Sequence, residues 1–235
     1  MFSALSLNED FFASRVSVFV ALGPVLKLTH CKSSLIQFVA NHRTLLTDTC
    51  DLLGIYEFFP ANWLTTGAMR LLCGTIPALC DFGVFLVADE DTTLDDPVRL
   101  PVYLGHFPSG ASLNSLLHYA QILTSDKFSQ YDYGKSQNKK LYGTEQPPEI
   151  GIQNISKVPI AMFVGQKDEL ADTTDNHWAH DKMGDKAVKF YKEYNLGHLS
   201  FLIANDMSYF TTDVMNILRQ YHPTNEMATE EIMTN

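Results

Sequence analysis

The 235-residue sequence is 46% hydrophobic and 19% charged, the balance of a globular protein that can bury a substantial core rather than of a disordered chain. Its formal net charge of −10 repels a phosphate backbone, and no local cluster of Lys and Arg offsets it, which argues against nucleic acid as a partner. The opening MFSALSLNEDFFASR lacks the basic region and continuous apolar core of a signal peptide, and the longest apolar run, VSVFVALGPVLKL, is broken by Gly23-Pro24, so neither a signal peptide nor a transmembrane segment is expected in the chain as written.

In chain order, Met1, Phe2, Leu5, Phe11 and Phe12 fit the end of a helix that has no capping residue before it. VSVFVAL (16–22) reads as a buried strand, β-branched and aromatic, stopped by Gly23-Pro24. The spacing of Leu35, Phe38, Val39, Leu45, Leu46, Leu52, Leu53 and Ile55 predicts helices over 33–58, and 66–88 repeats the pattern with a break at Pro77. A further helix is expected over 111–124, where Leu113, Leu116, Leu117, Ala120 and Leu123 share a face. The polar stretch SQYDYGKSQNKKLYGTEQPPEIG has the Gly, Pro and Asn of a surface loop. VPIAMFVG (158–165) and AVKFYKEYN (187–195) are then predicted strands, and FTTDVMNILRQYH (210–222) a closing amphipathic helix. Strand, helical insert, strand, helix, strand, helix is an α/β order. It divides the chain into a core segment (1–26), a helical block (27–130), a second core segment (131–222) and a flexible tail (223–235).

In an open parallel sheet, functional groups gather past the carboxyl ends of the strands. Asp168 follows the strand at 158–165 and His198 follows the strand at 187–195. A carboxylate that orients an imidazole, and a histidine that takes a hydroxyl proton, are two members of a Ser-His-Asp site, in the chain order of the α/β-hydrolases. Taken singly, Asp168 reads first as an N-cap or turn residue, Asp172 and Asp175 compete with it, and His198 reads as a hydrogen-bonded structural histidine. His177 and His180 have the i, i+3 spacing of helix metal ligands but no third ligand nearby, so no metal is expected; nor is any cofactor. His106 and His118 read as structural. Cys31, Cys50, Cys73 and Cys80 form no C-x-x-C pattern.

Several stretches resemble the acid lipases, the group of gastric lipase and lysosomal acid lipase: FVALGPV (19–25), VYLGHFPSGASLNSLLHYAQ (102–121), KFSQYDYG (127–134), QPPE (146–149), VPIAMFVGQKDELAD (158–172) and YNLGHLSF (194–201). Against the family pattern V-Y-x-S-H-x-P-A-G-T-S-x-x-N-x-x-H-W-x-Q the sequence keeps Val102, Tyr103, His106, Pro108, Gly110, Ser112, Asn114, His118 and Gln121. The resemblance implies the C-terminal part of an α/β-hydrolase fold, a mostly parallel sheet with a helical cap insertion, acting at a lipid–water interface on neutral lipid esters, triacylglycerols or sterol esters, through an acyl-enzyme. It assigns Asp168 as the carboxylate and His198 as the base. The family more usually reads Y-N-H-L-D-F, so Leu196-Gly197 before His198 is a small insertion. The resemblance also implies a disulfide between Cys73 and Cys80, glycosylation at Asn154 of Asn154-Ile155-Ser156, and a secreted or lysosomal parent protein.

No G-x-S-x-G occurs in the sequence. Ser109, in FPSGAS, lacks the strand-turn-helix setting of a nucleophile elbow. In the family the elbow stands just before a helix that leads into the F-x-A-L-x-P-V strand, so the serine, its oxyanion hole and most of the sheet are expected upstream of Met1. On that reading the chain alone is inactive, exposes an unpaired sheet edge and aggregates. The expected function is lipase-like ester hydrolysis, with a non-catalytic lipid- or partner-binding remnant as the alternative and another α/β-hydrolase, such as a serine peptidase, as a third reading.

Overall fold

The computed structural model describes residues 1–58, 63–104, 106 and 110–222. Two short helices, α1 (Phe2–Leu7) and α2 (Glu9–Ala13), open the chain where one helix end is expected. Asn8 leaves helical geometry at φ −148°, ψ 58°, and the Glu9 carboxylate accepts the amide protons of Ser156 and Lys157 instead. That contact swings α2 away from the line of α1 and ties it to the segment that precedes the next core strand.

β1 (Phe19–Leu22) follows, and then the helical block. It comprises α3 (Ser34–Asn41), α4 (Arg43–Leu53), the two-residue strand β2 (Glu57–Phe58), α5 (Trp63–Thr75), α6 (Pro77–Val87), α7 (Leu100–Leu104), β3 (Ala111–Ser112) and α8 (Leu113–Ser125). Side chains start two of these helices: Ser33 Oγ accepts from Ile36 N at 3.4 Å, and Ser112 Oγ from Asn114 N at 3.2 Å. Pro77 opens α6 rather than interrupting a helix, the position where its missing N–H costs nothing. β2 and β3 pair antiparallel.

The polar stretch predicted as loop holds a helix, α9 (Lys135–Tyr142). It has no apolar face to reveal it; a buried asparagine organises it instead. Asn138 donates to Asp132 Oδ1 at 2.7 Å and to Glu145 O at 3.0 Å, and accepts from Tyr133 N at 2.9 Å.

β4 (Ile160–Gly165), α10 (Thr173–Ala187) and β5 (Val188–Tyr194) complete a three-stranded parallel sheet in the order β1-β4-β5. All six residues of β4 are buried, as a central parallel strand covered on both faces requires. Its alternate residues feed two cores. Ile160, Met162 and Val164 pack with Phe2, Leu5, Ala179 and Met183; Ala161 and Phe163 pack with Phe201, Tyr209, Val214 and Ile217. The chain ends in a short helix, α11 (Ser200–Ile203), and a π-turn over Phe210–Val214 that runs into α12 (Met215–Tyr221), where one continuous amphipathic helix is expected. The parallel sheet with its helices is a partial α/β-hydrolase fold. Among the described residues no helix is long and apolar enough to cross a membrane. The tail 223–235, expected to be flexible, lies outside the described residues.

Candidate active site

β4 and β5 are neighbours in parallel register, with Gly165 opposite Tyr194 at their carboxyl ends. Just past those ends the chain turns twice, and the two turns are stitched together by Gln166 N–H to Tyr194 O at 2.8 Å and Lys167 N–H to Leu196 O at 3.0 Å. Asp168 stands on the first turn and His198 on the second.

The Asp168 side chain is fully enclosed, and that of His198 keeps 26% of its surface accessible. Asp168 Oδ1 accepts the amide protons of Leu170 at 2.9 Å and Ala171 at 2.6 Å, an Asx turn that locks the carboxylate. Its other oxygen, Oδ2, lies 2.9 Å from His198 Nδ1. Burial disfavours the imidazolium, but the hydrogen bond and charge of Asp168, with the charge of Asp89 behind it, hold the His198 pKa above the ordinary imidazole value. A fixed carboxylate on Nδ1 leaves Nε2 as the ring nitrogen that can exchange a proton with a bound group.

The residues that compete in sequence are placed elsewhere. Asp172 is the N-cap of α10, accepting from Thr174 N at 2.8 Å. Asp175 holds His30, through both its backbone N–H and its Nδ1, at 2.9 Å each. His177 pairs with Glu193 at 2.8 Å, and His180 packs on the Tyr191 ring at 4.9 Å. His118 Nε2 lies 2.9 Å from Ser129 O, and His106 is exposed. Ser109 lies outside the described residues. Among the described residues no group of three or more His, Cys, Asp or Glu side chains is placed to hold a metal ion.

Two residues at this site go unnoticed in the sequence. Gly23, directly after β1, has φ +53°, and a Cβ there would lie 3.0 Å from His198 Nδ1 and 3.1 Å from Asp168 Oδ2. The backbone just past β1 thus walls the pair where only glycine fits. Asp89 is completely buried, and its carboxylate accepts the amide protons of His198 and Leu199. Burial and the neighbouring charges of Asp95 and Asp168 push its pKa up to about 7, against the opposing His198 N–H and charge. In sequence Asp89 heads the run DEDTTLDD, which looks like a solvated acidic loop.

No family model matches the chain. Lipase lipl-5 of Caenorhabditis elegans is 36% identical over 179 residues, 74% of this chain and 44% of that protein. Lipase lipl-3 of the same organism is 35% identical over 179 residues, and human gastric triacylglycerol lipase is 31% identical over 212, 87% of this chain and 51% of that protein. The chain belongs to the acid lipase family. It spans about half the length of the curated relatives it matches.

Against the acid lipase pattern, the Leu196-Gly197 insertion has a structural reason. A Cβ on Gly197 would lie 2.5 Å from Asp89 Oδ1, so the extra glycine is what lets the buried carboxylate sit against the loop. Two further features bear on the cysteines and on the Asn154-Ile155-Ser156 sequence. Cys73 and Cys80 are joined by a disulfide that links α5 to α6, and Asn154 is exposed on a single helical turn, Ile152–Asn154. Cys31 and Cys50 are free and buried. Burial pushes the Cys31 thiol up to about 11, which makes it a poor nucleophile.

Proposed function

We propose that this chain carries the acid and base of a lipase that hydrolyses neutral lipid esters by a Ser-Asp-His mechanism, with the nucleophilic serine contributed from outside these 235 residues. The observation that carries this reading is the 2.9 Å contact between His198 Nδ1 and the enclosed Asp168 carboxylate, past the ends of two adjacent parallel strands. His198 Nε2 takes the serine proton as the hydroxyl attacks the ester carbonyl, and returns it to the departing alcohol. Asp168 holds the tautomer and stabilises the imidazolium. A water then repeats the sequence on the acyl-enzyme.

In the same reading residues 27–130 form the cap over the acyl site and meet the lipid–water interface. Triacylglycerols and sterol esters are the substrate class, in keeping with the names of the lipase relatives. A secreted or lysosomal parent fits the Cys73–Cys80 disulfide and the exposed Asn154 of Asn154-Ile155-Ser156, which would accept a glycan on that route.

The test uses the natural gene product that carries this chain. His198→Ala is expected to lower long-chain ester turnover by about 10⁴ or more; a fall of less than about tenfold places the base elsewhere. A second reading, a lipid- or partner-binding protein without chemistry, is favoured by the absence of G-x-S-x-G from the sequence. A serine-directed fluorophosphonate decides between the two. Labelling of the natural product supports the lipase, and an unlabelled product that still binds lipid vesicles supports the binding protein.

A further inference from the structure

Between α6 and α7 the chain passes through residues 88–96, which carry only a single helical turn, Thr92–Leu94. This run touches both turns of the Asp168–His198 pair. On the acid side, Glu90 N–H donates to Lys167 O at 3.0 Å and Glu169 N–H to Ala88 O at 2.8 Å, an antiparallel bridge that sets Asp89 opposite Asp168. On the base side, Asp89 Oδ1 accepts the His198 N–H, and its two oxygens share the Leu199 N–H at 3.2 and 3.1 Å. Beyond it, Ser200 Oγ donates to Asp95 Oδ1 at 2.6 Å, Asp96 N–H to Ile203 O at 2.8 Å, and Asn205 N–H to Leu94 O at 2.9 Å.

A carboxylate removed completely from water is costly even when hydrogen-bonded, and it is more so beside Asp95 and Asp168, two further acidic groups. Holding two amides needs only an acceptor oxygen, which a neutral Asn would supply. What a carboxylate adds, once ionised above about pH 7, is charge, and the cationic form of His198 is the group that responds to it.

We propose that Asp89 is a positioning residue for His198: reaching in from the helical block, its carboxylate fixes the backbone of the base-bearing turn and so sets the imidazole against Asp168. The proposal rests on the reading of His198 as the base. It also joins the helical block to the chemistry, because the residue that orients the base belongs to the block and not to the sheet. Gly197 is part of the same device, since any side chain there would displace the carboxylate.

The experiment compares the natural gene product with Asp89→Asn and Asp89→Ala, following histidine ring and backbone amide resonances by NMR while pH is varied. In Asp89→Asn the His198 titration moves to lower pH, and in Asp89→Ala the His198 and Leu199 amides also exchange at least about tenfold faster. The turnover number falls while KM stays within about twofold, and the acid limb of the pH profile moves down with the His198 titration. A purely structural anchor would leave that titration in place, so an unmoved His198 in a folded Asp89→Asn protein overturns the proposal. If neither variant folds, the unmodified protein decides. The His198 and Leu199 amide resonances follow the Asp89 carboxyl titration if the proposal holds, and follow His198 alone if it does not. Absence of ester hydrolysis by the unmodified protein would sink the lipase reading, while these resonances would still decide separately whether Asp89 holds the turn.

Discussion

The sheet and the helical block treat their apolar residues in opposite ways. In β4 every residue is buried, and Phe163 is enclosed between the rings of Phe190, Tyr194 and Tyr209, with centroids at 4.9, 5.6 and 6.1 Å. In the block, Leu45, Leu52, Leu53, Leu71, Ile76, Leu79, Phe82 and Phe85 are exposed, Leu52 to 85%. The sheet's side chains are committed to a core behind the turns whose His198 and Asp168 side chains meet at 2.9 Å, whereas these side chains of the block face solvent. Geometry that must be exact is built on the buried half, and the block leaves part of its apolar surface open.

The sharpest way to break this comparison is to truncate one side chain in each half. Phe163→Ala should cost about 3–5 kcal/mol in a denaturant titration, because a fully packed aromatic ring leaves a cavity. A cost under about 1 kcal/mol would mean that the sheet core is not what holds Tyr194 and the base-bearing turn.

A smaller effect tests the site's charges. Asp89 has a native pKa of about 7, above its ordinary value of 3.8, so between those values the folded state binds the extra proton and loses stability as pH rises. His198 is also raised; its contribution is complete below the ordinary histidine value and is lost as pH climbs through the folded value. Both act in one direction, so unfolding free energy should fall between about pH 5 and pH 8 by on the order of 2 kcal/mol. Asp89→Asn should flatten much of that slope, and a wild-type profile that rises with pH would contradict both shifts.

Gly23→Ala should cost about 1–2 kcal/mol, since an alanine at φ +53° is strained and its methyl crowds the Asp168–His198 contact. Here the His198 ring resonances should shift although residue 23 carries no charge; unchanged resonances would show that the strand end does not touch the pair in solution. At the bottom of the scale, Leu52→Ser should change stability by less than about 0.5 kcal/mol. It should nevertheless weaken binding to neutral-lipid emulsions, measured by flotation, and a large loss of stability would show that Leu52 is covered.

Legibility in the sequence follows the same division. VPIAMFVG reveals β4 because a strand buried on both faces is a continuous apolar run, and following strands to their carboxyl ends leads to Asp168 and His198. α9 escapes such a reading because its organiser is Asn138 and not an apolar stripe. The single helix expected before β1 is two because Glu9 has a distant partner, the amides of Ser156 and Lys157. Asp89 is illegible in sequence: an acidic run reports charge but not burial, and its role depends on the fold bringing residue 89 to residue 198.

The bridge between Ala88–Glu90 and Lys167–Glu169 restricts how the helical block can move. A flap swinging freely about its two junctions with the sheet would have to peel that bridge and the Asp89 contacts away first, dismantling the base-bearing turn as it opened. Any rearrangement of the block that spares the site therefore leaves the strip 88–96 in place, like the frame of a door rather than its leaf.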